Sequence, residues 1–413
     1  MSFGARSGAA AAARCGVLVS LAVLALAGQA SATVTEVGSG GRTLVDGEPE
    51  FLIGLADPPP LGGLTPAGTD GLDEVVAGGV RIFRVAPPGR TPWSPDVLPP
   101  VLAWLDAAHS RGALVWLSVR ELGLATRGDE RTAMLGSLVP TLALHPGLGF
   151  WRGVNEPYWA GHGVDSLSYA KEVVGRLDPA HAWLTVQAPR GSVGDLAPYS
   201  AVTDFHGVDI YPVRLVTNDP DLHAVGRWTT VIRQATPNQG VFMTLQICFT
   251  GAWHGSTYVL PTRRQERYMV YDAIMHGARG LIFYGGHDEC LSDRDRALGW
   301  NWTFWNGVLK GVLRELGPGT ALNEGLAGRP NGVGVSVNDR YTQVISRRRA
   351  DAVWVIVARF GKGAKTVRVS GLPAGLRAGR VYPTGGRRVP VQRGAFTARI
   401  GRWGVQVIRF PVR

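Results

Sequence analysis

The chain has 413 residues, a net charge of +11 and an apolar fraction of 45%. This apolar content is ordinary for a globular protein, so the composition excludes a largely disordered chain. The length is sufficient for one large domain and one small domain.

The first 32 residues have the pattern of a secretory signal peptide. Arg6 and Arg14 precede an uncharged stretch over residues 16–27, and a small-residue triplet ends at Ala32. The apolar run is shorter than the roughly 20 residues that span a bilayer, and no later segment is long and apolar enough to replace it. We therefore expect cleavage after Ala32, a secreted mature protein and no transmembrane segment.

Of the three cysteines, Cys15 lies within the signal peptide, so Cys248 and Cys290 remain in the mature chain. Two cysteines left in an oxidising compartment usually pair. Cys248 follows the seventh predicted strand and Cys290 follows the eighth, so we expect a disulfide between neighbouring loops, with two unpaired buried thiols as the alternative.

Eight apolar runs of strand length recur through the middle of the chain. They are residues 51–56, 80–85, 113–119, 150–155, 183–187, 207–211, 241–247 and 280–284. Segments with helical spacing of apolar residues lie between them, among them 97–111, 166–177, 227–235 and 264–276. Eight repeats of strand and helix predict an α/β fold, a (β/α)8 TIM barrel over residues 33–328. An open doubly wound sheet is the alternative, but no Gly-rich phosphate loop follows the first strand.

After a last barrel helix near residues 305–316, the pattern changes to short alternating strands. These are 333–337, 341–346, 352–358, 365–369, 379–382, 388–392, 395–400 and 404–410. Residues 329–413 are therefore predicted to form a small antiparallel β-sandwich. This segment has eighteen Arg and Lys residues against two acids, a net charge of +16, whereas the barrel segment carries −7. The opposite signs favour two domains and a possible anionic cell-wall polymer as partner of the second, rather than nucleic acid.

The candidate catalytic motif is Asn155-Glu156-Pro157 at the end of the fourth predicted strand. Catalytic groups of such barrels lie where strands end. Here the sequence resembles the clan A glycoside hydrolases, in which an Asn-Glu pair in this place supplies the acid/base carboxylate and binds substrate. The resemblance implies that Glu156 protonates the glycosidic oxygen and that Asn155 binds a sugar hydroxyl. The alternative is that Glu156 only caps the next helix.

The second strand, which ends in Arg84, also resembles these enzymes, whose matching arginine binds the nucleophile and keeps it ionised. An ion pair at the surface is the alternative.

Strand seven departs from the resemblance, because Gln246 occupies the place of the nucleophilic glutamate. An amide cannot form a glycosyl ester. Three explanations are open: another strand end supplies the second carboxylate, the substrate supplies its own nucleophile, or the barrel binds sugar without cleaving it. Gln246 and Arg84 are taken as substrate-binding candidates. The first candidate for the second carboxylate is Asp209 at the end of strand six, although it may instead face a helix. The further candidates, in order, are Asp288 with Glu289 and then Glu121, whereas Glu266 is expected to cap or brace a helix.

We expect His206 and Tyr211 to border the same barrel mouth and to bind sugar hydroxyls, with a structural role as the alternative for His206. Aromatic residues in the expected top loops suit stacking on sugar rings. They are Trp93, Tyr158, Trp159, Trp253, Tyr258, Trp300 and Trp302. Trp159 and Trp300 are taken as substrate-binding candidates.

No metal-ligand spacing and no cofactor motif is evident, because the histidines are isolated from the cysteines and from one another. This applies to His162, His181, His223 and His254.

Three classes of function remain open. The first is a secreted glycoside hydrolase acting on an oligo- or polysaccharide, and the second is a non-catalytic carbohydrate-binding barrel. The third is a structural or adhesive wall protein, since a fold alone does not determine function. Glu156 and Arg84 favour the first class, and Gln246 keeps the second open.

Overall fold

The computed structural model describes residues 32–89, 91–213, 219–248, 260–287, 291–383 and 386–412. Residues 32–413 belong to one compact unit. The predicted signal peptide and Cys290 lie outside the described residues, so the cleavage site and the disulfide stay predictions.

The described chain opens with a three-stranded antiparallel sheet, followed by the closed barrel. The first sheet consists of β1 (Thr35–Gly38), β2 (Arg42–Val45) and β3 (Glu48–Glu50). The barrel strands are β4 (Leu52–Leu55), β5 (Ile82–Val85), β6 (Leu114–Ser118), β7 (Leu148–Arg152), β8 (Ala182–Gln187), β9 (Phe205–Ile210), β10 (Gly240–Gln246) and β11 (Gly280–Tyr284). All pair in parallel in chain order, and β11 closes on β4, which confirms the TIM barrel and excludes the open sheet.

Helices surround this barrel on its outer side. They are α1 (Gly71–Ala77), α2 (Leu98–His109), α3 (Glu130–Ala143), α4 (Val164–Leu177), α5 (Val193–Leu196), α6 (Ala224–Ala235), α7 (Arg263–His276), α8 (Asp293–Ala297), α9 (Trp302–Phe304), α10 (Lys310–Leu313) and α11 (Ala321–Ala327). Among the described residues, no helix has the length and apolar character needed to cross a membrane.

The barrel strands read as continuous apolar runs because both of their faces are buried. Inside the barrel, Phe150, Phe205 and Phe242 pack edge to face with ring centroids 5.4 to 6.0 Å apart. The opposite faces of the strands pack against the helices in a larger outer core. A filled interior leaves only the end of the barrel open to a ligand.

The C-terminal region is a sandwich of two antiparallel sheets, as predicted. Its strands are β12 (Ser336–Val337), β13 (Thr342–Arg348), β14 (Ala352–Arg359), β15 (Lys365–Ser370), β16 (Ala378–Tyr382), β17 (Arg388–Pro390), β18 (Ala395–Ile400) and β19 (Gly404–Pro411). One sheet has the order β12-β15-β18 and the other β13-β14-β19-β16-β17.

Strand β14 connects the two cores because it is buried along its whole length. Val353, Val355 and Val357 belong to the core between the two sheets, whereas Trp354 and Ile356 belong to the barrel's outer core. Because successive side chains of a strand point to opposite faces, one face of β14 packs inside the sandwich and the other packs against the barrel. Arg267 of α7 adds a bidentate ion pair with Glu315 and a hydrogen bond of 2.7 Å to the Val405 carbonyl.

Candidate active site

A cavity of about 210 Å³ lies at the carboxyl ends of the barrel strands. Its lining comes from all eight barrel strands or the residues just after them, and comprises Ala56, Arg84, Trp116, Arg152, Asn155, Glu156, Val186, Asp209, Tyr211, Thr244 and Tyr284. Five predicted site residues therefore meet here: Glu156, Asp209, Asn155, Arg84 and Tyr211.

Glu156 is held just beyond β7 in an unusual backbone conformation. Its φ is +46°, a left-handed value that non-glycine residues seldom adopt outside special sites. Its amide donates to the Val186 carbonyl at 3.1 Å, which ties it to the neighbouring strand β8. The next helix, α4, begins at Val164 with Gly163 as its N-cap, so Glu156 does not cap it.

Asp209 lines the same cavity as Glu156, from strand β9. Burial raises the pKa of Asp209 well above its usual range, and the nearby Glu156 adds to this effect. Tyr211 donates a hydrogen bond to Asp209 at 3.3 Å. Asp209 therefore faces the cavity and not a helix, and it favours the protonated state.

Arg152 lies beneath this carboxyl pair and was not singled out from the sequence. It is 6% exposed, donates to the Asn155 side chain, and lies 4.8 Å from the Trp116 ring centroid. Burial and, to a smaller extent, the charge of Arg84 lower its pKa, Asp209 and Glu156 raise it, and the net pKa is about 9. A guanidinium next to two carboxyl groups compensates one negative charge in the cavity.

Two polar atoms of the cavity wall have no hydrogen-bond partner within the described residues. They are Nε of Arg152 and Oγ1 of Thr244, which is paired in register with Asp209 on the adjacent strand. Buried polar atoms of proteins are normally satisfied by protein groups, water or ligand. Both atoms are buried, so the wall of the cavity contains one donor and one hydroxyl that no described protein group satisfies.

Arg84 lines the cavity, but its charge is paired with Asp57, which follows β4. Nη2 of Arg84 lies 2.6 Å from Asp57 Oδ1, and its Nε donates to the Ala56 carbonyl at 2.8 Å. Burial alone would raise the pKa of Asp57, but Arg84, His287 and the Gly285 amide lower it to about 2. Arg84 is thus neither a surface ion pair nor a partner of strand seven. Asp57 could have been noticed as a polar residue just after the first strand.

Gln246 does not line the cavity, contrary to its expected role in substrate binding. It is fully buried, its Nε2 donates to the Val213 carbonyl at 3.0 Å, and its Oε1 accepts from the Val213 amide at 2.8 Å. Strand β10 lies between β9 and β11, and the rings of Tyr211 and Tyr284 stack on each other with centroids 5.4 Å apart. The side chain at the end of β10 therefore holds a loop in place and is covered from the cavity.

His206 is also misplaced by the sequence-based prediction. Phe205 and Asp209 face the barrel axis, so His206 lies on the opposite face of β9 with Val208 and Ile210. It is fully buried with neither ring nitrogen hydrogen bonded within the described chain, and burial lowers its pKa to about 3. A neutral histidine in the outer core fits the structural alternative.

Trp300 is a packing residue and not a sugar platform. It is 1% exposed, its Nε1 donates to the Asp57 carbonyl at 2.7 Å, and it packs against Trp302 and Trp305. Trp93 is likewise buried. Trp159, three residues after Glu156, is 53% exposed and has the Arg190 guanidinium 5.9 Å from its ring centroid. Among the described candidates, Trp159 alone keeps an exposed ring face at the mouth; Trp253 and Tyr258 lie outside the described residues.

The remaining acidic candidates are distributed differently. Glu121 accepts the Trp93 amide at 2.8 Å and lies outside the cavity. Glu266 is fully buried with neither oxygen hydrogen bonded within the described chain, and burial raises its pKa, whereas Thr262 and Gln265 form the cap of α7. The expected capping role of Glu266 is therefore wrong. Asp288 and Glu289 lie outside the described residues.

The fold is similar to that of glycoside hydrolases. A family 5 glycoside hydrolase from Bacteroides vulgatus superimposes with a TM-score of 0.57 and 12% identity, covering 92% of this chain and 93% of the other. A family 27 β-L-arabinopyranosidase from Geobacillus stearothermophilus, solved with arabinose, gives 0.55 and 11%, covering 89% and 98%. A family 39 enzyme from Bacteroides cellulosilyticus gives 0.52 and 11%, covering 89% and 84%.

Neither a protein-family model nor a curated protein sequence matches the chain. At this identity the likeness shows the fold and leaves the chemistry to the residues of the cavity.

Proposed function

We propose that this chain is a secreted glycoside hydrolase that cleaves O-glycosidic bonds in an oligo- or polysaccharide, with Glu156 as the general acid/base. The observation that carries the proposal is that the carboxyl groups of Glu156 and Asp209 line the same barrel-mouth cavity, where the nearby Glu156 adds to the rise in the pKa of Asp209. A glycosidic oxygen is a poor leaving group near neutral pH unless an acid protonates it. A carboxyl pair that retains one proton provides such an acid.

Within this pair, Asp209 stores the proton and Glu156 delivers it. Asp209 is 8% exposed and its raised pKa keeps it protonated at pH values where a free aspartate is ionised. Glu156 is more accessible and is positioned by Asn155 and the Val186 carbonyl at the cavity wall. In this step the proton passes from Asp209 through the adjacent Glu156 to the glycosidic oxygen, which leaves both carboxyl groups ionised until water returns a proton to the pair.

Burial and the nearby Glu156 raise the pKa of Asp209, and a protonated carboxyl group is neither a nucleophile nor a base. We infer that the nucleophile, or the base that activates water, is a loop acid, with Asp288 and Glu289 as candidates, or a group of the substrate itself.

The test is a screen of the purified protein on a panel of oligo- and polysaccharides, with release of reducing ends as the readout. Active substrates are then assayed with Glu156→Gln and Asp209→Asn, and proton NMR identifies the first-formed anomer. Turnover by the native protein that Glu156→Gln leaves intact would remove the assignment. Sugar binding without turnover would favour the next candidate.

A non-catalytic carbohydrate-binding barrel is the second candidate, and Gln246 favours it. The residue at the nucleophile position is an amide used to hold the loop at Val213, so this position cannot contribute to catalysis. Calorimetric titration distinguishes the two: a pure binding protein shows saturable sugar binding, no released product, and affinity that Glu156→Gln changes little.

We further propose that the protein acts outside the cell, with cleavage after Ala32 and a disulfide between Cys248 and Cys290. Mass spectrometry of the exported protein before and after reduction tests both statements. A mature mass that retains residues 1–32, or a free-thiol count of two, would contradict them.

The sandwich is proposed to bind an anionic cell-wall polymer. Both of its acids are paired, Asp339 with Arg359 and Lys365, and Asp351 with Arg349 and Arg409. Two adjoining cavities of about 430 and 470 Å³ share Ala378, Arg388 and Pro411 in their linings. Their walls also include Arg348, Arg377, Arg380 and Arg409 and no acidic residue.

This surface offers several positive charges to a polymer, and such binding weakens with salt because the Debye length falls from about 10 Å at 0.1 M to about 3 Å at 1 M. The test is retention of the full chain on purified cell walls across a salt series. Replacement of Arg377 and Arg388 by Gln should release the protein at lower salt, whereas Arg176→Gln on α4 should not. Retention that ignores salt, or equal release of both variants, would show that the charge is incidental.

A further inference from the structure

Two histidines and an aspartate meet between helices α6 and α7, away from the barrel mouth. His223 is the N-cap of α6, while Asp272 and His276 lie one turn apart on α7. Their ligand atoms all lie within 4.8 Å of one another, and none of the three lines the mouth cavity. We propose that His223, Asp272 and His276 bind a divalent transition metal of the zinc type.

The donor set and its spacing fit such an ion. Zinc is held by imidazole nitrogen and carboxylate oxygen at about 2.0 to 2.2 Å, which places neighbouring ligand atoms of a tetrahedron roughly 3.4 Å apart. His223 Nδ1 is 3.1 Å and His276 Nδ1 is 3.5 Å from the same oxygen, Asp272 Oδ1. These two distances lie on either side of the separation of roughly 3.4 Å that neighbouring ligand atoms have around a tetrahedral zinc ion.

Polar groups converge on one oxygen of Asp272. His223 Nδ1 lies 3.1 Å from Asp272 Oδ1, and Gln343 Nε2 donates to the same oxygen at 3.3 Å. Gln343 Nε2 also lies 3.1 Å from His223 Nδ1. A carboxylate oxygen and an imidazole nitrogen at this separation are both ligand types that zinc accepts.

The carboxylate of Asp272 lacks a cationic side chain in contact within the described residues. It is fully buried, and its partners besides the histidines are uncharged: the Gly226 amide at 2.7 Å, the Tyr268 hydroxyl at 3.3 Å and Gln343 Nε2 at 3.3 Å. Its ion-pair contacts in the described chain are the two histidines alone. A buried carboxylate is costly unless it is paired, coordinates a metal or is neutralised.

The surroundings hold the three side chains in place. A Cβ at Gly226 would come within 2.3 Å of His276 Nδ1 and 2.6 Å of Asp272 Oδ2, so only glycine permits this approach of α6 to α7. The Phe360 ring stacks on His223 at 4.2 Å with an interplanar angle of 8°. Outer contacts of this kind fix the orientation of metal-binding histidines.

Metal binding changes one existing hydrogen bond. His276 Nδ1 now donates to the Asp272 carbonyl at 2.7 Å, so this nitrogen releases its proton to solvent when it coordinates the ion. The Tyr268 hydroxyl, the Gln343 side chain or a water completes the fourth position. Because Gln343 and Phe360 belong to the sandwich side of the chain, the bound ion would fasten the sandwich to α6 and α7 of the barrel.

The experiment is a zinc titration of the full chain after treatment with a chelator, using a competing chromophoric chelator to measure affinity and stoichiometry. We expect one Zn²⁺ per native chain and a higher melting temperature when it is bound. His223→Gln and His276→Gln should each weaken binding by more than about 100-fold, beyond the effect of outer-contact changes. His109→Gln, an exposed histidine at the end of α2, is the matched control and should bind as the native chain does.

Two results would overturn the site: no stoichiometric zinc in the native chain, or native affinity in His276→Gln. If a variant fails to fold by circular dichroism, anomalous scattering from native crystals soaked in ZnCl₂ decides the matter. A peak bonded to the three side chains supports the proposal, and a fully native data set without one rejects it.

Discussion

Asp57 and Asp209 are both buried aspartates just inside the barrel mouth, but their surroundings push them in opposite directions. Asp57 has a guanidinium at 2.6 Å, a backbone amide at 3.0 Å and His287 at 3.5 Å, and its pKa falls to about 2. Asp209 is buried near the carboxyl group of Glu156, and both effects raise its pKa. Asp57 is therefore an anion whose charge is paired, whereas Asp209 favours its protonated form.

The same contrast extends to their neighbours. Arg84, the partner of Asp57, also donates to the Ala56 carbonyl, so its guanidinium group is held within the fold. Glu156, which lines the cavity with Asp209, instead has a left-handed backbone conformation. Such a conformation at a cavity is a physical reason to test Glu156 first.

The largest expected effect is on turnover in Glu156→Gln. Loss of the proton donor should lower kcat on an active substrate by about 10²- to 10⁴-fold, the usual contribution of a general acid/base. Steady-state kinetics measures the effect, with Glu172→Gln on the exposed face of α4 as control. Equal rates in Glu156→Gln and the control would place the chemistry elsewhere in the mouth.

Asp209→Asn should have a smaller effect on rate and a distinct effect on its pH dependence. The amide cannot store the proton that Asp209 shares, so kcat should fall by roughly 10- to 10²-fold. Because the pKa of Asp209 is raised, the native enzyme should lose activity as pH rises through that pKa, and the variant should lack this alkaline limb. An unchanged pH profile would show that Asp209 only fills space beside Glu156.

The sequence predicts the barrel well because each parallel strand is buried on both faces and reads as an apolar run. The prediction for the fourth strand, residues 150–155, is displaced by two or three residues from β7, Leu148–Arg152. This error does not move the candidate Glu156 out of the mouth, because Glu156 follows the strand both in the prediction and in the structure. Its position after a strand is thus enough to place it at the cavity.

Local sequence patterns do not predict contacts between residues that are far apart in the chain. The orientation of Gln246 depends on a backbone segment at Val213 and on two stacked tyrosines, and the face of His206 depends on the register of β9. His223 and His276 look isolated in sequence because only the packing of α6 against α7 brings them to Asp272. Such features follow from tertiary packing and not from local pattern.

Gln246→Glu tests whether the side chain at the end of β10 has a structural role. The substitution replaces the donor to the Val213 carbonyl by a second acceptor in a fully buried place, so we expect a loss of about 1 to 3 kcal/mol in the free energy of unfolding. Turnover should not rise, because the new carboxylate lies behind Tyr211 and Tyr284. Chemical denaturation measures the change in stability, and the activity assay measures turnover. Gln265→Glu on α7 is not a suitable control, because Gln265 forms part of the N-terminal cap of that helix. A gain in turnover would mean that the mouth opens to strand seven.

The smallest and most direct test compares the pH dependence of stability in Asp57→Asn and Asp209→Asn. Asp57 has a lowered pKa in the folded chain, so its stabilising contribution is present above the unfolded value near 4 and is lost as pH falls through about 2. A difference of nearly two pKa units corresponds to roughly 2 kcal/mol, so the loss of stability in Asp57→Asn relative to the native chain should shrink by about this amount between pH 5 and pH 2.

Asp209 has a raised pKa, so its protonated form stabilises the fold below pH 4 and this contribution is lost as pH rises through the folded value. Asp209→Asn should therefore gain stability relative to the native chain as pH rises. Unfolding free energies from denaturant titrations at several pH values give both slopes, and slopes of the same sign would show that the two aspartates are not held in opposite states.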